Sequence, residues 1–433
     1  MITRRSFLAL ALGLVFQPGR ALSRRPPQAD LEFLKGLTLD ILEQSRVKPG
    51  TNGPPNWPIK NSVGFPLVTP GRQGYPAFWI RDFSMACDSG LVPTEEIRNH
   101  LFLVARCQNG ESERKLQSGA FLPPYAISDH INFDGTAVFF PGTYSSGEDQ
   151  GSGPWGKLPP IDDHFEFVHL AHVLWKQDRS KAFLQEQVAG MPMVDRLRKA
   201  FASPESDRVL GLATTSEARR AVGFGFCDSI VHTGHLLYAS LLRFRAANEL
   251  AELTGDREYR RIADRIKRAI PAIFKDPASG WLLASTGISR QPDVWGTLLA
   301  LHLSVLDAEA AKRTSKTVLE AFKAGQITLE GAVRHVPTNR DFSEKTAWDG
   351  TYTGKGSYQN GAYWHTPTGW LIEALAKVDK AAAKQVLSEF VAHLRANPAS
   401  PWECFGPGLK YTQNPGYLAS VAWPFAAIRN LKL

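Results

Sequence analysis

Long apolar runs are scarce in this chain. Beyond Phe7 to Phe16, itself too short, no stretch reaches the ~18 uncharged apolar residues of a membrane span, so a soluble product is expected. Cysteine is scarce too: Cys87, Cys107, Cys227 and Cys404 are the 4 in 433 residues. They show no metal-ligand spacing and permit three fully paired connectivities. No HExxH signature accompanies the histidines. With 43% hydrophobic and 21% charged residues, only Ser23 to Gln28 resembles a disordered tail. Length alone would allow about three domains, but no internal linker is long and featureless enough to separate two cores, so residues 24–433 are expected to form one. The formal charge of +8 invites a nucleic-acid reading. Arg4, Arg5, Arg20, Arg24 and Arg25 belong to the leader and its junction, however, and other cations scatter over helix faces such as Arg257 to Arg268. The excess is mostly a solvated surface, and no nucleic-acid partner is expected.

What is present begins with an address. Thr3-Arg4-Arg5-Ser6-Phe7-Leu8, the short apolar run and the small residues around Ala21 and Ser23 read as an export signal over residues 1–23. It is of twin-arginine type, with an ordinary Sec signal as the alternative. Either sends the mature chain to the periplasm or outside the cell, where a disulfide could form.

Helical periodicity covers most of the remainder. The spacing predicts helices over Leu31 to Ser45, Phe78 to Ser89, Thr94 to Gln108, Asp163 to Gln177, Lys181 to Phe201, Ser229 to Leu253, Arg257 to Phe274, Gln291 to Leu303, Asp307 to Phe322, Asn360 to Lys377, Lys380 to Ala396 and Tyr417 to Asn430. Thr254-Gly255-Asp256 stops one helix and starts the next, and Pro93-Thr94-Glu95-Glu96 reads as a cap with an acidic first turn. Short joints alternate with long ones rich in Gly, Pro and aromatics: Val47 to Ala77, Asn109 to Asp162, Gly325 to Gln359 and Asn397 to Gly416. The alternation implies hairpins arranged as a ring with the long loops at one end. Gly296 to Leu303, without an acid or a formal cation, suits an inner helix; Asp307 to Phe322, carrying Lys312, Arg313, Lys316 and Glu320, suits an outer one.

Aromatic and carboxylate knots stand where the long loops meet helices. Trp79-Ile80-Arg81-Asp82 offers a stacking face, a forked guanidinium and a carboxylate able to grip vicinal hydroxyls of a terminal sugar; the bland alternative is a helix cap and a surface ion pair. Glu403, flanked by Trp402 and Phe405 in a Gly/Pro loop, is placed for desolvation and suits a general base. Asp228, after Gly223-Phe224-Gly225-Phe226-Cys227, reads as either the cap of the following helix or a carboxylic acid kept protonated by an apolar wall. Asp163, Glu166 and Asp349 compete for the same acid role. Cys227 and Cys404 adjoin the two chosen carboxylates, so a bridge between them is conceivable if those carboxylates face each other.

These motifs resemble the six-hairpin (α/α)6 glycosidases, which include glucoamylases, trehalases and processing α-glucosidases. Trp79-Ile80-Arg81-Asp82 is similar to the glucoamylase segment that holds the non-reducing sugar. Trp402-Glu403-Cys404-Phe405 with Tyr417 to Ala427 is similar to the general-base segment and its ensuing helix, and Gln359-Asn360-Gly361-Ala362-Tyr363-Trp364 looks like a recurring sugar-binding segment. Phe226-Cys227-Asp228 loosely resembles the acid segment of trehalases and α-glucosidases, and no glucoamylase-like Trp-Glu-Glu occurs. The resemblance implies an all-α (α/α)6 toroid and an exo-acting, inverting glycoside hydrolase without metal or organic cofactor. Asp228 is then the acid and Glu403 the base. Trp79, Arg81, Asp82, Trp348, Asp349, Gln359, Asn360, Tyr363, Trp364, His365 and Trp402 meet an oligosaccharide or polysaccharide substrate.

Toroidal folds also host lyases and epimerases that use His or Tyr. His164, His169, His172, His232, His235 and His365 keep that alternative open, as does a catalytically inactive sugar-binding protein. His169-x-x-His172 and His232-x-x-His235 each place two imidazoles on one helix face, which also reads as metal ligation.

Overall fold

The computed structural model describes residues 27–53, 57–71, 73–151, 153–431 and 433; the expected leader, residues 1–23, lies outside them. Among the described residues the chain forms twelve α-helices: α1 (Pro27–Gln44), α2 (Ile80–Asp88), α3 (Thr94–Cys107), α4 (Asp162–Asp178), α5 (Met193–Ala202), α6 (Leu237–Thr254), α7 (Arg257–Ile273), α8 (Val294–His302), α9 (Ala308–Lys323), α10 (Thr368–Ala376), α11 (Lys380–Ala396) and α12 (Ala419–Ile428). The even-numbered helices close a ring: α2 packs on α4, α4 on α6, α6 on α8, α8 on α10, α10 on α12, and α12 returns to α2. The odd-numbered helices lie outside, α3 and α5 against α4, α7 against α6, α9 and α11 against α10, and α1 against α12. This is the (α/α)6 toroid.

Composition explains the two layers. Val294 to Leu301 of α8 are all buried, whereas α9 buries a stripe through Val318, Ala321 and Phe322 and turns Lys312, Arg313, Lys316 and Glu320 to solvent. One apolar cluster runs from Leu34 in α1 to Ile428 in α12. The α6–α7 joint works as its sequence implies: Gly255 takes the left-handed φ of 75° that ends α6, and Asp256 accepts from the Glu258 N–H at 2.9 Å to open α7. No helix of the described residues is long and apolar enough to cross a membrane.

Four expectations are corrected. Lys181 to Phe201 is a 3-10 turn, a two-residue hairpin and the ten-residue α5, because Gly190 and Pro192 interrupt the apolar pattern. The sixth helix starts at Leu237 rather than Ser229, so Asp228 does not cap it. The tenth starts at Thr368 rather than Asn360, the intervening residues forming turns and the strand Tyr363–Trp364. Thr94 makes no cap either; its hydroxyl bonds Gln177 at 3.1 Å, while Glu95 and Glu96 do occupy the first turn of α3.

The long joints contain strands of two to four residues, too short for a legible period of two. Ahead of α2 and α4, Ala77–Trp79, His130–Asn132 and Ala137–Val138 form one antiparallel sheet. A five-stranded antiparallel sheet unites Thr328–Leu329, Ala332–Arg334, Tyr363–Trp364, Trp402–Phe405 and Thr412–Pro415. Glu403 therefore rides on a strand, not in an irregular loop.

Candidate active site

Where α2 begins, the long joints enclose a cavity of about 290 Å³ at one mouth of the ring. Arg81 and Asp82 arrive on the first turn of α2, reached directly from the strand Ala77–Trp79. Trp79 pairs across that sheet with His130, and the two rings stack at 4.5 Å. Asp129 is thereby placed beside both: it accepts from Trp79 Nε1 at 3.1 Å and lies 2.7 Å from His130 Nδ1.

Arg81 organises the acids rather than reaching freely into the cavity. Its Nε donates to Asp162 at 2.8 Å, and its Nη2 contacts Asp129 at 2.8 Å and Asp163 at 2.9 Å. The expected free grip on sugar hydroxyls is thus corrected for these two nitrogens, which are already spent on carboxylates from the first turn of α4 and from the strand. Burial alone would raise Asp129, but Arg81 and His130 outweigh it and hold the group down at about 2. Burial pushes Asp163 well up, since three carboxylates cannot all ionise around one guanidinium. Gly225 completes the arrangement: its N–H bonds Asp162 at 2.9 Å, and its missing side chain leaves room for the Arg81 stem.

Four carboxylates line the cavity: Asp82, Asp129, Asp228 and Glu403. Burial raises Asp82 to about 6, against a hydrogen bond from the Tyr417 hydroxyl. Burial raises Asp228 to about 7, against the Gln359 amide, and its Oδ1 is buried with no hydrogen-bond partner. Burial raises Glu403 to about 8, the charges of Asp82 and Asp228 adding to the rise. Glu403 is otherwise well supplied with donors. The Tyr75 hydroxyl stands 3.0 Å from both oxygens, Tyr358 donates at 3.3 Å, and Asn414 reaches across from the paired strand. Tyr75, Tyr358 and Tyr417 are all pushed well above the usual phenol range by burial and so remain neutral donors.

Of the residues singled out from sequence, Trp79, Arg81, Asp82, Asp228 and Glu403 meet at this cavity. The others do not line it, and their bonds in the structure run to neighbouring protein groups. Gln359 accepts from the N–H and hydroxyl of Ser229 at 2.7 Å and donates to the Gly225 carbonyl at 3.2 Å, clamping both sides of the Asp228 segment. Asn360 ties Ala347 N to Thr353 O, each at 2.8 Å. Trp348 is fully buried and donates to the Gln359 carbonyl, and Asp349 accepts from the Ser289 N–H. Trp364 is fully buried behind Phe226; His365 is enclosed by Phe390 and Phe405; Tyr363 is half-buried on its strand. Trp402 and Cys404 alternate with Glu403 along one strand and so face away from it. The Cys227–Cys404 bridge is not formed: all four cysteines are free, and Cys227 Sγ lies 3.8 Å from His335 Nδ1.

Among the rival acids, Asp163 is committed to Arg81, and Glu166 is held by Ser84 at 2.5 Å and Arg245 at 2.7 Å below the cavity. None of the histidines proposed for a lyase lines the cavity; His130, not singled out, does. Tyr75, Asp129, Tyr144, Tyr358 and Asn414 were missed as well. The run Ser128-Asp129-His130-Ile131-Asn132 carried a usable signal, since four polar side chains in five residues are unusual for a buried strand.

No family model matches the chain, and no curated protein matches it. Solved structures do match in fold. A rhamnosidase from Klebsiella oxytoca with rhamnose bound superposes with TM-score 0.57 at 12% identity over 94% of this chain, which spans 65% of that protein. A mannosylglycerate hydrolase from Thermus thermophilus in complex with glucose gives 0.57 at 12% identity, covering 91% of this chain and 99% of the other. The glucoamylase from Saccharomycopsis fibuligera gives 0.56 at 13% identity over 93% and 94%. The chain thus has the fold of the six-hairpin glycosidases over nearly its whole length.

Proposed function

We propose that this protein is an exported glycoside hydrolase that removes a terminal sugar from an oligosaccharide with inversion. The observation that carries the reading is the pairing, in one cavity beside a Trp79 stacking face, of two buried carboxyls raised into the neutral range, Asp228 and Glu403. Inversion needs one carboxylic acid to protonate the leaving oxygen and one carboxylate to take a proton from the attacking water. The values of about 7 for Asp228 and about 8 for Glu403 stand in the reverse order to those roles. We assign the roles on hydrogen bonding instead: the side chains of Tyr75, Tyr358 and Asn414 favour the Glu403 anion, whereas Asp228 has the Gln359 amide and the Ser229 N–H alone and its Oδ1 has no partner, which suits the protonated form. Asp82 and Asp129, ordered by Tyr417 and Arg81, supply acceptors for sugar hydroxyls. Export rests on reading residues 1–23 as a leader, of twin-arginine or Sec type.

Glu403→Gln and Asp228→Asn should each lower kcat by several orders of magnitude while ligand binding persists. Product anomers followed by NMR, on a panel of oligosaccharides, test inversion. Near-normal turnover in Glu403→Gln would remove the base assignment. Because His130 lies at the cavity, the same panel should be read for the absorbance of an unsaturated product, which would favour a lyase.

A further inference from the structure

The far half of the ring carries a second constellation, independent of the sugar cavity. On α4, His169 and His172 lie on one face, seven and ten residues beyond Asp162, the partner of Arg81, or roughly 10–15 Å along the helix. Their Nδ1 atoms converge on Glu249 of α6: His169 at 2.6 Å and His172 at 3.6 Å from the same oxygen, with ligand atoms of all three residues within 4.8 Å of one another. The second Glu249 oxygen is buried with no hydrogen-bond partner, and Glu249 itself is 6% exposed. Each imidazole is also gripped from behind. His169 Nε2 lies 2.8 Å from Asp88 at the end of α2, and His172 Nε2 lies 3.1 Å from Glu252, one turn beyond Glu249. Two imidazoles turned by rear carboxylates, with their front nitrogens on one carboxylate, form the shell that orients histidine ligands around a metal.

We infer that His169, His172 and Glu249 bind a divalent transition metal of the zinc type, with water completing the coordination. The 3.6 Å separation of His172 Nδ1 from Glu249 is close to the ~3.4 Å edge of a tetrahedron with ~2.1 Å bonds. The 2.6 Å contact at His169 is a hydrogen bond whose proton the metal replaces. Uptake therefore releases that proton to solvent. Three carboxylates, Asp88, Glu249 and Glu252, face the site against the cations Arg245, which also bonds Glu166, and Lys176, which is paired to Glu252, while His302 approaches from α8 and is paired to Glu373. The bound metal staples α4 to α6, with α2 attached through Asp88, at the end of the toroid away from the sugar cavity.

Tag-free full chain, stripped with chelator and titrated calorimetrically with Zn2+ at neutral pH, should take up one equivalent with proton release and gain in thermal midpoint. Co2+ should produce the visible bands of a four-coordinate site. His172→Gln, at a half-buried position outside the core, should lose at least ~100-fold in affinity, and Glu252→Gln ~10- to 100-fold. A folded wild-type chain that takes up no Zn2+ overturns the proposal. So does uptake that His172→Gln and Glu249→Gln leave unchanged.

Discussion

Gly225→Ala is the sharpest steric probe of the cavity floor. A Cβ at this position would lie 2.1 Å from Arg81 Nε, 2.2 Å from Cζ and 2.7 Å from Cδ, well inside van der Waals contact. A free arginine would swing aside, but Arg81 is fastened to Asp129, Asp162 and Asp163 at 2.8–2.9 Å and is 5% exposed. One methyl group must therefore break at least one of these buried contacts, and the carboxylate left behind loses its guanidinium partner. Losing one partner of a buried pair costs about 3–5 kcal/mol, so the chemical denaturation midpoint should fall by the equivalent amount with an unchanged m-value. Gly36→Ala is the control: it sits in α1 with nothing within 4 Å of the new Cβ and should gain ~0.5–1 kcal/mol from helix propensity. Gly225→Ala should also impair turnover, because Asp129 loses the guanidinium that keeps it ionised. A Gly225→Ala midpoint within ~0.5 kcal/mol of wild type would refute the account of Arg81 as an immobile hub.

Three further outcomes are expected. With Asp228 near 7 and Glu403 near 8, the form holding one proton between them dominates only in that interval, so kcat/KM should peak between about 7 and 8 and fall on both sides; an optimum near pH 5 would contradict it. Stability should decline from pH 6.5 to 8.5, because the raised Asp228, Asp293 and Glu403 still hold protons that the unfolded chain has already released, and ionising them in place is unfavourable. Below 6.5 the neutral buried His100, His164, His232 and His335, lowered to between about 3 and about 4, work in the opposite direction. Glu403→Gln should then be more stable than wild type at pH 8.5, with the gap narrowing as pH falls and closing only in the ordinary carboxylate range; an equal midpoint across the range would show that Glu403 is not raised. Trp155→Ala, at the cavity wall where it covers Gly142, should raise KM ~2- to 10-fold with kcat nearly unchanged, and an unaltered KM would remove Trp155 from substrate contact.

How much of this was legible varies by element. The inner α8 and outer α9 could be told apart from charge alone, because a helix buried on all sides cannot carry lysine and one packed on a single stripe can. The Gly255–Asp256 joint was equally readable, since left-handed backbone and a side-chain cap are local requirements. Asn360 to Thr366 misled for the complementary reason: its aromatic, helix-compatible composition is decided by pairing with Arg334 and Phe405, far away in sequence.

The sequence by itself determined the layered helical ring, the mouth at which the long joints gather, and a short set of carboxylates desolvated by aromatic and glycine neighbours. Only the tertiary structure decided which of those carboxylates meet. Tyr75 reaches Glu403 across 328 positions and Tyr417 reaches Asp82 across 335, while Asp162 and Asp163 turn Arg81 away from solvent into an ionic hub. Periodicity and capping act over one or two helical turns and can be read along the chain. Electrostatic environment is set by whatever closes over a group in space, and that depends on the ring being complete.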